Sequence, residues 1–305
     1  MYSFLSRLRQ RLVASTILAF LITGGITALV FQNCSQPRFE FKDDSTLTNL
    51  TNSQGPPIVS PPSPTTTVCD PGASNTSAKG GLVADLYYMT KNQQQDATTV
   101  LNFFNPAMAI KSTKEVYFSQ VNTPPQIFSK GFVTQDGTDV KDDSGNTLVQ
   151  WFALMYYGEI KLTESADEGT YEFASLSDDG AVFEAEVNGK WITIVNNDGN
   201  HPPQMGCSTQ TLSFVKNQAI PIRVYYYQGP ANHIANVLLW KKLASANTKF
   251  SLDQECGKSG TNYFFDPDSS SPLQPYADFL KRGWAVVPTG VFFLPDSVVN
   301  PCVTQ

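Results

Sequence analysis

The sequence predicts an all-β protein, an antiparallel β-sandwich carrying a disulfide-stapled C-terminal extension, and three observations lead there. Apolar and polar side chains alternate with a period of two over 181–187 and again over 222–227, the pattern of strands with one dry and one wet face. Asn188-Gly189 separates the first run from the β-rich residues 191–195, and both residues tolerate the positive φ of a two-residue type I′ hairpin turn. Short apolar runs broken by turn residues recur from Gly81 onward with almost no helical periodicity between them, as in a sandwich or barrel.

Composition sets the outer bounds. The 305 residues are 41% hydrophobic and 12% aromatic, enough apolar surface to form a core and to exclude disorder over most of the length. With 21 basic and 27 acidic residues the formal charge is −6. No basic patch occurs beyond the first eleven residues, which excludes a nucleic-acid partner, because a phosphate backbone has to be neutralised locally.

The first 33 residues read as a signal peptide or membrane anchor. Arg7, Arg9 and Arg11 precede an apolar run over 12–31, and a basic segment before an apolar one directs export. The run is long enough to span about 30 Å of hydrocarbon, so an uncleaved helix with its arginines in the cytoplasm is one reading. The other is a lipoprotein signal cut before Cys34, with lipidation of that thiol. Phe31, Gln32 and Asn33 match a lipobox only loosely, but Cys34 stands between the apolar run and a polar, proline-rich segment. Without it, four cysteines remain (Cys69, Cys207, Cys256 and Cys302), an even number in an exported chain where disulfides persist. Both readings place the bulk of the protein outside the cytoplasm, in the cell envelope, at the outer membrane or cell surface.

Residues 34–80 are rich in Ser and Thr and hold Pro56, Pro57, Pro61, Pro62 and Pro64, the composition of a semi-rigid stalk. The sandwich is expected over 81–243. Its strand candidates are 81–89, 116–118, 148–156, 158–162, 170–176, 181–187, 191–195, 222–227 and 237–240. Asp96 is placed to cap a short helix running to Phe104. The remaining 244–305 are too few for an independent domain. They hold Cys256, Cys302 and one helix near 276–282, and read as an extension packed on the sandwich. Four cysteines allow three connectivities, and at least one bridge is expected to tie the extension to Cys69 or Cys207.

The catalytic inventory is poor. His201 and His233 are the only histidines, and no G-x-S-x-G, P-loop or dinucleotide fingerprint occurs. Sequence does not report the separation of carboxylates in space, so glycoside hydrolysis stays a remote alternative; a binding protein, not an enzyme, is expected. The dense polar constellation is Ser177-Asp178-Asp179-Gly180, set between two strands. Adjacent carboxylates on a rigid loop repel unless a cation lies between them, and calcium takes six to eight hard oxygens. Asn197, Asp198 and Asn200, with His201 following, add oxygens if the two loops meet. The plain alternative is an Asp/Gly turn without metal. Asp136, Asp139, Asp142 and Asp143 miss the EF-hand spacing and read as a solvated loop. Tyr225, Tyr226 and Tyr227 would offer an aromatic face to a sugar, although alternation sends the middle one to the opposite side and core packing fits at least one face.

Together these pieces resemble the PA14 (PA-14) domain, the β-sandwich named after anthrax protective antigen and found in yeast flocculins, adhesins and bacterial envelope proteins. The matching elements are Gly81-Leu82-Val83-Ala84 with Tyr87-Tyr88; Gly158-Glu159-Ile160 and Gly169-Thr170-Tyr171-Glu172-Phe173; Ser177-Asp178-Asp179-Gly180; Val187-Asn188-Gly189; Asn197-Asp198-Gly199 with His201; and Pro221-Ile222-Arg223-Val224-Tyr225-Tyr226 leading to Leu238-Leu239-Trp240. The resemblance covers roughly 81–243. It implies that Asp178 and Asp179 are joined by a cis peptide and grip a calcium ion that contacts sugar hydroxyls. It also implies that Asn197 and Asp198 complete the metal site, with Asn200 and His201 beside the ligand. The second loop, with Pro202 and Pro203, is shorter than in the lectins and lacks a specificity insert, and no pore-forming module is present. The expected function is calcium-dependent carbohydrate binding for attachment to cell-surface or envelope glycans. The alternative is a structural or assembly lipoprotein whose sandwich docks a protein partner while the C-terminal extension covers the loop end.

Overall fold

The computed structural model describes residues 66–69, 79–94, 97–133, 138–230, 232–245 and 252–303. The apolar run, Cys34, Asp96 and Asp136 lie outside them. Among the described residues no helix is long and apolar enough to cross a membrane.

In chain order the elements are β1 (Thr66–Cys69), β2 (Leu82–Met89), α1 (Val100–Phe103), β3 (Ala109–Phe118), β4 (Asn122–Ile127), β5 (Phe152–Lys161), β6 (Gly169–Asp178) and β7 (Ala181–Val187). There follow β8 (Lys190–Asn197), β9 (Gln204–Cys207), β10 (Leu212–Phe214), β11 (Ala219–Gln228), β12 (His233–Lys242), α2 (Gln274–Lys281), β13 (Ala285–Val286) and β14 (Phe292–Phe293). The larger sheet runs β1-β3-β2-β5-β11-β7-β8, with β14 added to β5. The smaller runs β10-β6-β12-β13, with β9 on β6 and β4 on β12. Every pairing is antiparallel except β1 with β3.

The period-two pattern does what it predicts. On β11, Ile222, Val224 and Tyr226 enter the core between the sheets with Leu154, Tyr156, Phe173, Phe183, Leu238 and Trp240. The β7–β8 turn has Asn188 at φ 54° and Gly189 at φ 72°, the left-handed pair a type I′ turn requires. The two strand candidates on either side of Tyr157 are one unbroken strand, β5. Gly158 does not interrupt it, because it serves a close approach: a Cβ there would fall 2.7 Å from Leu82 Cδ2 and 2.8 Å from Phe293 O.

Within the 34–80 segment, Thr66–Cys69 pairs in parallel with Lys114–Tyr117. Its Thr-Thr-Val-Cys sequence is β-prone and free of proline.

The extension lies on the outer face of the smaller sheet. Phe264, Phe265, Tyr276, Phe279 and Trp284 pack on Ala174 and Leu176 of β6, Met205 of β9, and Val237 and Leu239 of β12. This second apolar layer explains why β12 is hydrophobic on both faces: Leu238 and Trp240 point into the sandwich, Val237 and Leu239 to the extension. Cys207–Cys256 and Cys69–Cys302 are the two bridges, so both staple the extension to the sandwich.

Candidate functional site

β6 ends at Asp178, whose partner on β12 is Ala235, and β7 starts at Ala181, opposite Tyr226 of β11. Asp179 and Gly180 form the corner between them, and the Asp178–Asp179 peptide bond is cis. Only glycine fits at 180, because a Cβ would enter the Tyr227 ring and come within 2.8 Å of Asp198 Oδ1.

Asp179 fastens two further loops to this corner. Its Oδ1 accepts from the His201 backbone N–H at 3.1 Å, and its Oδ2 accepts from the Gly229 backbone N–H at 2.7 Å. Asp178 differs. Its backbone carbonyl accepts from the Tyr226 hydroxyl at 2.7 Å, but its carboxylate accepts no hydrogen bond among the described residues. Both side chains are buried, Asp178 at 7% and Asp179 at 5% exposure. Burial, reinforced by the neighbouring charge of Asp179, pushes the Asp178 carboxyl up to about 8. Burial also raises Asp179, to about 6, with the two backbone donors pulling the other way.

The remaining predicted residues divide. Asn200 comes to the corner: its Oδ1 accepts from the Tyr227 hydroxyl at 2.8 Å and stands 3.6 Å from where a Gly229 Cβ would be, beside Asp179 Oδ2 at 2.8 Å from that point. His201 contributes its backbone, while its ring nitrogens face the carbonyls of Pro202 at 3.1 Å and Asn197 at 3.0 Å. Asp198 Oδ1 accepts from Val100 N–H at 2.7 Å and Gly199 N–H at 2.9 Å, holding the start of α1 against the site. Asn197 is turned away: its amide donates to Ser177 Oγ at 2.8 Å and Gln204 O at 2.9 Å, and its Oδ1 accepts from Gln204 at 2.9 Å. That network locks β8 to β6 and β9, so the side chain is structural in this arrangement.

Sequence reasoning missed Gly229. The signal lies in the β11–β7 register, which puts Tyr226 opposite Ala181 and therefore brings the turn after Gln228 to the Asp179–Gly180 corner. The three tyrosines present no face to a ligand. All are buried, Tyr226 between the sheets and Tyr225 and Tyr227 under Phe103 and Phe104. Of the second acidic cluster, Asp143 is tied to Ser112 Oγ at 2.7 Å and Lys114 Nζ at 3.0 Å, and Asp142 closes its own turn by accepting from Asn146 N–H at 2.8 Å.

The donor chemistry fits a hard cation. A buried carboxyl with no donor among the described residues beside a second one, with an amide oxygen near, is an all-oxygen set of the kind calcium prefers. Among the described residues no group of three or more His, Cys, Asp or Glu side chains gathers to hold a metal. Two carboxylates, backbone oxygens, water and ligand hydroxyls would therefore have to complete the shell.

No family model matches the chain, and no curated protein matches it. Solved structures do. An anti-sigma factor domain-containing protein from Clostridium clariflavum is similar at 12% identity and TM-score 0.38, covering 73% of this chain and 51% of that one. The PA14 sugar-binding domain from an RTX adhesin is similar at 17% identity and TM-score 0.36, covering 53% and 90%. The Epithelial Adhesin 6 A domain from Candida glabrata, in complex with Galβ1-3GlcNAc, is similar at 14% identity and TM-score 0.36, covering 59% and 86%. The chain spans about half the length of the anti-sigma factor domain-containing proteins it matches. The strands follow the order of the sequence pieces, from Gly81-Leu82-Val83-Ala84 at β2 through the Asp178–Asp179 corner to Leu238-Leu239-Trp240 on β12.

Proposed function

We propose that this protein is a calcium-dependent carbohydrate-binding protein of the cell envelope, with the metal held by Asp178 and Asp179. The observation that carries the reading is the Asp178 carboxyl: buried, pushed up to about 8 and accepting no hydrogen bond among the described residues, its charged form would be favoured by a cation beside it. When bound, calcium supplies a Lewis-acidic centre on which vicinal sugar hydroxyls take the place of water. Asp179 holds the 198–203 loop and Gly229 at the corner, and Asn200 offers an amide oxygen to the same neighbourhood. The PA14 sugar-binding domain of the RTX adhesin and the sugar-bound adhesin of Candida glabrata support carbohydrate as the ligand class. Attachment through Cys34 or the apolar run over 12–31 would display many copies, which single-site affinities near the millimolar range, about 4 kcal/mol, need in order to be useful.

The docking alternative needs the extension to cover the loop end, and the extension does touch the second loop at one edge, where Gly260 N–H donates to Pro203 O at 3.1 Å and Ser259 pairs with Gln204. Val286 pairs with Leu239 and Phe292 with Ile160, mid-strand on β12 and at the end of β5 away from Phe152 and the Asp178–Asp179 corner. The test is a glycan array with the full chain in a non-glycosidic detergent, run in calcium and again in chelator. Signal that depends on calcium and disappears in Asp178→Asn supports the reading; a blank array in both conditions, with the protein folded, overturns it.

A further inference from the structure

Next to Trp151 is a groove of about 410 Å³, a size typical of small-molecule sites. We propose that this groove is a second saccharide-binding site, one that needs no metal and takes a neutral di- or oligosaccharide.

Trp151 is built into place in an unusual way. Its φ is +61°, a left-handed conformation rare for a bulky residue and one that concentrates at functional positions. The conformation is held from both sides: the Trp151 N–H donates to Gln228 O at 2.7 Å, and its carbonyl accepts from Met89 N–H at 3.0 Å. The ring lies parallel to Phe103 (9° between planes, centroids 6.4 Å apart), which itself stacks on Tyr227 at 4.4 Å. Trp151 is partly buried against this stack and lines the groove.

The rest of the lining selects the ligand class. Buried Met89 and Leu148 continue the apolar floor. The rim is neutral and polar: Gln94, Ser144, Asn146 and Gln150, of which the Gln150 amide has no hydrogen-bond partner among the described residues. The rim carries one cation and one anion. Lys91 is exposed, and the Asp142 carboxylate is already engaged by Ser144 N–H at 2.9 Å, Asn146 N–H at 2.8 Å and the Asn146 amide at 2.9 Å. A metal would need free carboxylate oxygens, and an anion would need cations it could not share with solvent. An extended peptide adds to an open sheet edge, but β2, which forms one wall, is already paired on both sides by β3 and β5. What fits an indole floor inside a ring of amides and hydroxyls is a molecule with one apolar face and an equatorial belt of hydroxyls, which is a pyranose. The proposal does not rest on calcium at Asp178 and Asp179.

The test is titration of the full chain, in non-glycosidic detergent with chelator, by maltose, cellobiose, lactose and chitobiose, followed by tryptophan emission and calorimetry. At least one disaccharide should bind in chelator and shift the emission. Affinity should fall about tenfold or more in Trp151→Ala, as for an aromatic anchor, and severalfold in the rim variant Gln94→Ala/Gln150→Ala, which leaves the ring stack untouched. Asp178→Asn should leave it unchanged. No binding of any of the four in chelator, or binding indifferent to the rim variant, overturns the proposal. If Trp151→Ala loses its near-ultraviolet circular dichroism, the rim variant decides.

Discussion

Gly229 donates its backbone N–H to Asp179 Oδ2 at 2.7 Å, so the turn leaving β11 is fastened to the corner that joins β6 to β7. Through its other oxygen the same carboxylate holds His201. Asp178, one residue earlier, holds nothing with its carboxylate among the described residues. Two adjacent residues of identical chemistry thus differ: Asp179 organises the loops, and the Asp178 carboxyl ties none of them among the described residues.

That difference predicts opposite mutant phenotypes. Asp178→Asn replaces a buried carboxyl pushed up to about 8 by a neutral amide, so the metal-free protein should be as stable as wild type near neutral pH and more stable at alkaline pH, while its thermal stabilisation by calcium disappears. Asp179→Ala leaves two buried N–H groups without an acceptor and should cost about 2–4 kcal/mol, at about 1–3 kcal/mol for the first unsatisfied group and less where water reaches the second. Thermal melts in calcium and in chelator check both, and a destabilised Asp178→Asn would contradict the division of roles.

The same carboxyls set a pH dependence. Asp178 at about 8 and Asp179 at about 6 lie above the ordinary aspartate value, both chiefly through burial. Over this interval the folded chain keeps protons that the unfolded chain has released, so stability falls as pH rises from about 4 to about 8 and is unaffected by this pair below about 4. On the proposed function calcium would bind the deprotonated pair, so its stabilising effect should grow across the same range. Melts at half-unit pH steps, with and without calcium, should diverge towards alkaline pH. Parallel curves would show that the pair is not the metal site.

Gly206 carries a packing prediction. A Cβ there would come within 2.6 Å of Asn197 Cγ and 2.7 Å of Asn197 Oδ1, inside the network that ties β8 to β6 and β9. Gly206→Ala should cost about 1–3 kcal/mol through overpacking, read from denaturant melts. Because Asn197 is turned from the carboxylates, calcium affinity should change far less than stability.

The strands were legible because a two-sheet sandwich imprints a period of two on sequence, as at Ile222, Val224 and Tyr226, and because Asn188-Gly189 has few conformations open to it. β1 was hidden by its neighbours, since four β-prone residues at the end of a proline-rich segment look like spacer until β3 is there to pair with them. At the site, Asp178 and Asp179 were readable from their adjacency. For Asn197 the residue type does not decide, because a polar residue beside a turn signals a ligand and a lock equally well; its partners here, Ser177 and Gln204, belong to other strands. Gly229 was invisible for a related reason: its role is a backbone N–H, which leaves no mark on residue type and emerges only from strand register.

The two disulfides should prove unequal. Cys69–Cys302 closes a separation of 233 residues and Cys207–Cys256 one of 49. Loop-closure entropy alone makes the first worth about 5 kcal/mol and the second about 4 kcal/mol. Their structural consequences should differ more than their energies. Cys207 and Cys256 join β9 to the start of the extension, beside the cluster of Phe264, Phe279 and Trp284, and Arg282 adds a two-pronged contact to Asp253 at 2.8 and 2.6 Å. Losing this bridge leaves an apolar layer and a partly buried ion pair to hold the extension, so Cys207→Ala/Cys256→Ala should fold with a lower melting temperature but resist proteolysis over 252–303. Cys69 and Cys302 join two short end segments, β1 and the residues after β14, where Leu294 packs with Val83 and Tyr117. There the contact area is small, and Cys69→Ala/Cys302→Ala should free both ends to limited proteolysis while the sandwich core stays protected in hydrogen exchange. Early cleavage within 252–290 in the second variant, with intact ends, would reverse this assignment.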